Sequence, residues 1–328
     1  MRTPDRVGHV FLPAWRRLLC LLLLLQSMAS LSDEPVRKLL VRDGRTLEVI
    51  IGVDFDTSEH ERLTDWVAYI SDALANVFGH WPRHQWEIAI TPAAAAGDDP
   101  IPWAQIHRNT VDRVDFFIAP RASLEQLKHA WTGYHELAHL LIPYQGWGDS
   151  WFSEGLASYY QNLMQARNGV LSEEEAWQSI YDGFSRGRAD TEFDGQSLEQ
   201  VSNTMRVNGG YMRVYWSGAW YFLTIDVLLR RQSEKSISLD TALQKLNNCC
   251  ADDSLSAIEI ARKLDELNGV ALFGTLFNQA RQSTRVPGFE SIFTYLGINV
   301  IEGKVQLDTS GPGAALRQQI TYLPNLSE

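Results

Sequence analysis

The sequence predicts an α+β protein in which a strand-rich half precedes a helical half. Short runs rich in β-branched residues, bounded by turn residues, occur up to about residue 120. From residue 149 onward, apolar residues recur with the helical period. The 328 residues, 45% of them hydrophobic and 21% charged, are typical of a globular protein with a substantial core. We expect a functional cleft where the two halves meet.

The first 29 residues predict a signal peptide. Several arginines precede a short apolar run, Leu18–Leu25, and small residues suit cleavage after Ala29. The run is too short for a comfortable membrane span, and an uncleaved N-terminal anchor is the alternative. Cys20 lies inside the apolar run, which argues against lipoprotein processing. We therefore expect a periplasmic or secreted protein.

The net charge limits the classes of binding partner, and the cysteine content limits the possible disulfides. Cleavage would remove four arginines and one aspartate and change the formal net charge from −11 to about −14. This acidity argues against nucleic acid and anionic lipid as partners. The remaining cysteines, Cys249 and Cys250, are adjacent, and adjacent cysteines rarely bond to each other. We expect them to be small buried hydrophobic residues without a disulfide.

The strand-rich half is predicted to cover residues 30–142. Two strands flank an Asp43-Gly44 turn, and a helix with an apolar face from Leu63 to Phe78 follows. The remaining predicted elements are a strand at Trp86–Thr91, a proline-rich loop at Pro92–Pro102, a strand at Arg113–Pro120 and a helix at Leu124–Ile142.

The helical half is predicted to cover residues 143–300, followed by a tail at 301–328. Gly183–Gly210 is polar and rich in glycine, which predicts an irregular segment. Tyr211–Arg231 is strongly apolar but contains Arg213 and Asp226, so a buried helix is favoured over a membrane span. Asp226 should pair with a cation there or line a polar cavity. Further helices are predicted at Trp151–Arg167, from Ser172, and at Asp240–Asn247, Ser254–Leu267 and Val270–Arg281.

A possible metal site lies where the two halves join. His135 and His139 are four residues apart, so on a helix both imidazoles lie on one face and can bind one ion. Glu136 lies about 100° around the helix and is better placed to contact a water on that ion than to be a ligand. The arrangement is the H-E-x-x-H motif of zinc metalloproteases.

A catalytic zinc site needs a third protein ligand, and Glu154 is the candidate. Fourteen residues separate it from His139, and they include Pro143, Gly146 and Gly148, which permit a reversal of the chain. Asp149 or Ser150 can then cap a second helix that carries Glu154 in its first turn.

The alternative is a helix that merely carries polar groups on its face. Two histidines beside Leu137, Leu140 and Leu141 would be costly to bury without a partner, and a chance match to the motif does not explain the facing glutamate. The metal site is therefore favoured.

At this point the sequence resembles the gluzincin metallopeptidases, the thermolysin-like group. Trp151–Tyr160, "WFSEGLASYY", is similar to the W-x-x-E-G-x-A-x-Y signature of the aminopeptidase N and glycyl aminopeptidase families. The resemblance implies a zincin-like catalytic domain with its active site at the seam between the lobes. It also implies one zinc ion bound by His135, His139 and Glu154, with Glu136 as the general base.

A second match to these families lies downstream. They carry a Y-x-K-G element whose tyrosine stabilises the oxyanion, and "VYWSGA" places Tyr215 and Gly218 at its tyrosine and glycine. Ser217 replaces the lysine. Tyr215 is thus implied to be catalytic, and Tyr211 is the substitute candidate. Core packing is the alternative role for Tyr215, and packing is also expected for Trp151 and Tyr159.

The leading functional hypothesis is a zinc-dependent peptidase acting on a peptide or protein. The strand Val114–Ala119 could pair with an extended substrate. Two departures from the family leave exopeptidase specificity open: the shorter spacing to Glu154, and the missing G-x-M-E-N loop before His135. The alternatives are a non-catalytic exported protein stabilised by zinc and a zinc hydrolase of a non-peptide substrate.

Overall fold

A five-stranded mixed sheet forms the first half of the described chain. The computed structural model describes residues 34–233 and 236–322, and the predicted signal peptide lies outside them. The strands follow the spatial order β1-β2-β3-β5-β4. The central pairs β2-β3 and β3-β5 are parallel, whereas β1-β2 and β4-β5 are antiparallel. Their bounds are β1 Val36–Arg42, β2 Arg45–Ile51, β3 Gln85–Pro92, β4 Trp103–His107 and β5 Asp112–Ile118.

The turn and the helix that follow β1 confirm two predictions. Asp43 and Gly44 both have positive φ, at 50° and 73°, as a two-residue hairpin turn requires. Helix α1, Thr57–Phe78, begins at a capping box in which Asp56 and Glu59 satisfy each other's backbone N–H groups. Its Trp66 packs edge-on against Phe116 of β5, with ring centroids 5.1 Å apart. The helix thereby covers one face of the sheet.

Strand β5 is interior, between β3 and β4. The hypothesis that it accepts a substrate as an added strand is therefore wrong, because both of its edges are already paired. The edge strand next to β5 is β4, which the sequence did not predict. Its Trp103 and Gln105 are exposed, so β4 lacks the apolar pattern of a buried strand.

The long helix predicted at Leu124–Ile142 is broken into three pieces: α2 Leu124–His129, α3 Trp131–Ala138 and a 3₁₀ turn at His139–Leu141. The break at Ala130, where ψ is 112°, is explained by side chains that bind carbonyls of α2. Trp66 Nε1 donates to the carbonyl of Leu127 at 3.0 Å, and the Tyr134 hydroxyl donates to the carbonyl of Lys128 at 2.9 Å. These side chains occupy carbonyls that a continuous helix would use.

Eight helices follow in the described part of the second half. They are α4 Ser150–Arg167, α5 Glu173–Ala189, α6 Leu198–Asn208, α7 Tyr211–Gln232, α8 Leu239–Cys250, α9 Ala257–Asn268, α10 Phe273–Arg281 and α11 Glu290–Tyr295. None of the helices within 34–233 and 236–322 has the length and hydropathy needed to cross a bilayer. The buried helix predicted at Tyr211–Arg231 is confirmed as α7.

Gly183–Gly210 is not the irregular segment that its composition predicts. It contains the end of α5 and the whole of α6, which a Ser197–Gln200 capping box starts. Gly183 serves packing rather than a turn, because a Cβ there would lie 2.0 Å from the Trp216 ring. Gly183 is required because its small size leaves room for the Trp216 ring.

The last described residues, assigned by sequence to a tail, contain regular structure. A hairpin of β6, Ile298–Ile301, and β7, Lys304–Leu307, precedes helix α12, Gly311–Thr321. The buried Arg317 joins α12 to the body: it donates through Nε to Glu173 at 3.0 Å and through Nη1 to the Leu296 carbonyl at 2.8 Å.

A buried polar group stabilises the helical half. Arg230 Nε donates to Asp226 at 2.8 Å, which confirms the predicted pairing of Asp226 with a cation. The Tyr159 hydroxyl donates to the same carboxylate at 3.1 Å, so Tyr159 has a structural role. Trp151 is also buried, within a cluster of aromatic rings. The expected packing roles of Tyr159 and Trp151 are confirmed.

Cys249 and Cys250, at the end of α8, form a disulfide. The expectation that they are unbonded is therefore wrong. It rested on the rarity of bonds between adjacent cysteines, and rarity does not exclude such a bond. Cys250 is buried but Cys249 is exposed, so only one of them matches the expected small buried hydrophobic residue.

Candidate metal centre

His135 and His139 lie on one face of the segment formed by α3 and the 3₁₀ turn. Both are buried, and their ring centroids are 5.1 Å apart. The change to 3₁₀ geometry begins only at His139, so the spacing of four residues still places the two imidazoles side by side. This confirms the predicted juxtaposition of the two rings.

The chain then reverses between residues 142 and 150. Gly146 has φ of 74°, a conformation that glycine adopts without a steric cost. Asp149 occupies the N-cap position of α4 but makes no side-chain cap, so the predicted capping by Asp149 or Ser150 is wrong. Ser202 of α6 acts instead, since its Oγ accepts from the Trp151 N–H at 2.9 Å. The start of α4 is thus fixed by a contact between helices.

This reversal places Glu154 opposite the imidazoles. Its Oε2 lies 3.2 Å from His135 Nε2 and 3.7 Å from His139 Nε2. Bonds of about 2.0–2.1 Å to a tetrahedral zinc would separate neighbouring ligand atoms by roughly 3.3–3.4 Å. Two nitrogens and one carboxylate oxygen at these distances fit zinc. Glu136 also reaches the centre, because its carboxylate lies within 4.8 Å of both imidazoles.

The second nitrogen of each imidazole is bound by α4. His135 Nδ1 lies 2.8 Å from Gln161 Oε1, and His139 Nδ1 lies 2.7 Å from Ser153 Oγ. Because a carbonyl oxygen only accepts, Nδ1 of His135 donates to Gln161, and Nε2 is the nitrogen that faces Glu154. Sequence reasoning missed both partners. Gln161 could have been found, since it lies seven residues after Glu154 and so shares its helix face.

A buried group of charges holds the end of the histidine-bearing segment. Asp112 Oδ2 accepts from Arg83 Nε at 2.7 Å and from Arg108 Nη1 at 2.8 Å. Arg108 Nη2 donates to the carbonyls of His139 and Ile142, and Arg83 Nη2 donates to Ile142 at 3.3 Å. These carbonyls end the 3₁₀ turn and have no helical donors. The three residues therefore fix the backbone of His139, and no sequence motif marks them.

Burial and the charges of neighbouring groups act in opposite directions on the pKa values of the centre. Burial lowers the pKa of His139 to about 4, against the opposite effect of Glu154, so this imidazole is neutral and can act as a ligand. Burial acts to raise the pKa of Glu154, but the two imidazoles and Tyr215 lower it overall. For Glu136, burial raises the pKa to about 7, with His135 acting to lower it and Glu154 to raise it. A carboxyl with such a pKa suits proton transfer near neutral pH.

Tyr215 lies directly beside the centre. Its ring stacks on His135, with centroids 5.7 Å apart and planes at 21°, and its hydroxyl is hydrogen-bonded to Glu154. Burial, followed by the charge of Glu154, raises the pKa of Tyr215 above its ordinary value, so the phenol stays protonated. Tyr211 is half-exposed one turn earlier, at 6.2 Å from the Tyr215 ring. The structure therefore places Tyr215 closer to the centre than its substitute.

A contact between two glycines brings Tyr215 to Glu154. A Cβ on Gly155 of α4 would lie 2.3 Å from Gly218 Cα of α7, and a Cβ on Gly218 would lie 2.1 Å from the Trp151 carbonyl oxygen. Any side chain at either position would push the helices apart. Gly155 follows Glu154 directly and Gly218 comes three residues after Tyr215, so the approach of the helices sets the distance between the two functional groups.

The centre lies in a cleft of about 730 Å³. Every residue of the edge strand β4 lines the cleft, together with the reversal after His139 and the start of α7. His135, Glu136, His139, Glu154 and Tyr215, all singled out from the sequence, are brought together here. The cleft offers space for an extended ligand between the metal centre and the strand edge.

Comparisons with known proteins show what this chain is similar to in fold and in one segment. Residues 145–223, which include Glu154 and Tyr215 but not the two histidines, match the M61 glycyl aminopeptidase family. An aminopeptidase N family protein from Idiomarina loihiensis is 16% identical, with a TM-score of 0.62 over 81% of this chain and 50% of that one. An M1 zinc metallopeptidase from Deinococcus radiodurans is 16% identical, with a TM-score of 0.51 over 78% of this chain and 53% of that one.

A variant of the Deinococcus radiodurans enzyme bound to a Tyr-Ser-Ala substrate gives the same TM-score of 0.51, at 15% identity over 78% of this chain and 54% of that one. The chain spans about half the length of these solved structures. A comparison with curated proteins finds no match. In fold, the chain is similar to the M1 zinc metallopeptidases, and its segment 145–223 is similar to the M61 glycyl aminopeptidases.

Proposed function

We propose that this protein is a zinc-dependent peptidase whose ligands are His135, His139 and Glu154. The observation that carries the proposal is the convergence of two imidazole nitrogens and one carboxylate oxygen at separations of 3.2 and 3.7 Å, which suit a tetrahedral zinc ion. The fold shared with M1 zinc metallopeptidases and the match to the M61 family support it. The predicted leader supports export, which N-terminal sequencing of the mature chain would test.

Each residue of the cleft has a separate role in the proposed reaction. When bound, zinc polarises a carbonyl oxygen and makes a water more acidic. Glu136 takes the proton of the attacking water and passes it to the leaving amine, which its pKa of about 7 allows in both directions. Tyr215 donates a hydrogen bond to the oxygen that becomes negative, and its raised pKa keeps the phenol protonated. Gln161 and Ser153 hold the two imidazoles in the orientation that directs Nε2 into the cleft.

A peptide is the substrate class that the cleft fits best. Strand β4 ends the described sheet and pairs on one side only, with β5. All five of its residues line the cleft, so its backbone is accessible from that side. An extended peptide can pair with such an edge as an added strand. The Deinococcus radiodurans relative bound to a Tyr-Ser-Ala substrate also supports this class.

Metal content and peptide cleavage together test the proposed function. We expect the purified chain to contain about one zinc per molecule and to cleave members of a peptide library, with cleavage lost on chelation and restored by zinc. His135→Ala should lose both zinc and cleavage. The exposed His129, six residues earlier, provides the matched control, and His129→Ala should retain both.

Other results of this experiment would contradict the proposal. Zinc that is retained without hydrolysis of any peptide would favour a zinc-stabilised binding protein. Hydrolysis confined to non-peptide amides or epoxides would favour a different class of hydrolase. A chain that cleaves peptides equally well without zinc would contradict the metal-dependent chemistry itself.

Tyr215→Phe tests the proposed role of the phenol. We expect kcat to fall about 10²–10³-fold with little change in KM, because the hydrogen bond forms to charge that develops only in the transition state. Tyr211→Phe is the matched control, since it removes a hydroxyl one turn away, and its kcat should change little. Steady-state kinetics on one cleaved peptide measures both. Equal losses in the two variants would argue against a specific role for Tyr215.

A further inference from the structure

Exposed aromatic side chains are concentrated around the mouth of the cleft. Six aromatic residues are exposed within 34–233 and 236–322, and four of them line this cleft. These four, which we call the aromatic rim, are Trp103, Trp131, Trp147 and Tyr211, with exposed fractions of 59%, 47%, 68% and 40%. They come from β4, α3, the reversal and α7. Aromatic surface left in water on four separate elements around one cavity indicates a binding surface.

The aromatic rim lies close to the reacting centre. Trp131 makes an edge contact with the ligand candidate His135, with ring centroids 5.6 Å apart. Tyr211 makes an edge contact with Tyr215 at 6.2 Å. A group bound at Trp131 or Tyr211 is therefore only about one ring from the scissile bond.

Trp147 is oriented although it is the most exposed of the four. The guanidinium of Arg206 lies over its ring, 4.1 Å from the centroid. A cation in this position holds the indole without burying it. Most of the Trp147 side chain is still exposed, and both residues line the cleft.

The position of Trp103 connects the aromatic rim to the substrate backbone. It is the first residue of the edge strand β4, where an extended peptide would pair. Side chains of a paired peptide alternate between the two faces of the sheet, so every second one is directed to the same side. Sites for alternate side chains give such complexes their specificity.

From these contacts we infer that the cleft selects peptides with a large apolar or aromatic side chain near the cleaved bond. The inference rests on the proposed peptidase function and specifies its substrate class. Aromatic side chains bury large areas and pair with one another at about 4.5–7 Å between centroids. A peptide with glycine or alanine next to the cleaved bond would leave the side chains of the aromatic rim exposed to water.

Cleavage of a designed peptide series tests the inference. The probes are six-residue peptides of alternating glycine and alanine, with a single phenylalanine moved through the positions. We expect kcat/KM to be at least about tenfold higher for one placement of phenylalanine than for the all-small peptide. Trp147→Ala and, separately, Trp103→Ala should reduce this ratio several-fold. Both residues are mostly exposed, so these variants should fold.

Tyr295→Ala is the matched control. Tyr295 is 44% exposed and has Arg231 over its ring, but it does not line the cleft. The preference for phenylalanine should be unchanged in this variant. Equilibrium binding of the same peptides to Glu136→Gln, measured by calorimetry, provides a readout without turnover.

The outcomes separate the two proposals. Cleavage of all peptides at similar rates would overturn the inference and leave the peptidase intact. Tight binding of the phenylalanine peptide without cleavage by the wild-type chain would overturn the peptidase and support the aromatic rim as a peptide-binding surface. Binding of a β-linked oligosaccharide in preference to every peptide would overturn the inference, since stacked sugars would then be the ligand.

Discussion

Replacement of Glu136 by glutamine should abolish turnover while zinc remains bound. The change keeps the size of the side chain but removes the group that accepts a proton, and general acid–base catalysis typically contributes about 10²–10⁴-fold. Zinc should remain because the proposed ligands are the two imidazoles and Glu154. The Glu154 Oε2 atom lies 3.2 Å from His135 Nε2 and 3.7 Å from His139 Nε2. Single-turnover cleavage and zinc affinity, measured by competition with a chromophoric chelator, test the two parts separately.

Glu125→Gln is the control for this variant. Glu125 is an exposed carboxylate on α2, outside the cleft, and its loss should change neither quantity. Full activity of Glu136→Gln would remove Glu136 from the mechanism. A large fall in zinc affinity would instead make Glu136 a ligand, which its position within 4.8 Å of both imidazoles permits.

The second large effect is expected from Gly155→Ala. In a helix interior, replacing glycine by alanine ordinarily stabilises by about 0.5–1 kcal/mol. Here the new Cβ would lie 2.3 Å from the backbone of Gly218, which cannot rotate away. We therefore expect the free energy of unfolding to fall by about 3 kcal/mol or more. Helix propensity alone would predict an increase. Urea denaturation measures the change.

Gly148→Ala provides the comparison within the same region. A Cβ on Gly148 would have no neighbour within 4 Å, so its stability should change by about 0.5 kcal/mol or less. The folded fraction of Gly155→Ala should also lose activity, because separating α4 from α7 withdraws Tyr215 from Glu154. A variant as stable as the wild type would show that the two helices can move apart without cost.

The sequence predicted that His135, His139 and Glu154 lie close together because all three are near one another in the chain. His135 and His139 share a helix face whatever the surrounding fold, and Gly146 permits a reversal that returns Glu154 to them. Helix α1 and the Asp43-Gly44 hairpin were found for the same reason, since capping and turn preferences are local.

The missed features depend on contacts between distant residues. The break at Ala130 is caused by Trp66, which lies on another helix. Strand β4 is held by β5 and exposes Trp103 to water, so no apolar pattern marks it. The glycines near residue 183 predict an irregular segment, although Gly183 is needed for its small size beside Trp216.

Helix α4 carries three groups that act on the same pair of rings. Glu154 faces the Nε2 atoms, whereas Ser153 and Gln161 bind the Nδ1 atoms. The histidines belong to the first half of the chain and α4 to the second, so an ion held among them would cross-link the halves. Binding of the ion would then raise the free energy of unfolding of the whole fold. The increase grows with the logarithm of the ratio of the free ion concentration to Kd. Scarcity of the ion would weaken the scaffold as well as stop the chemistry.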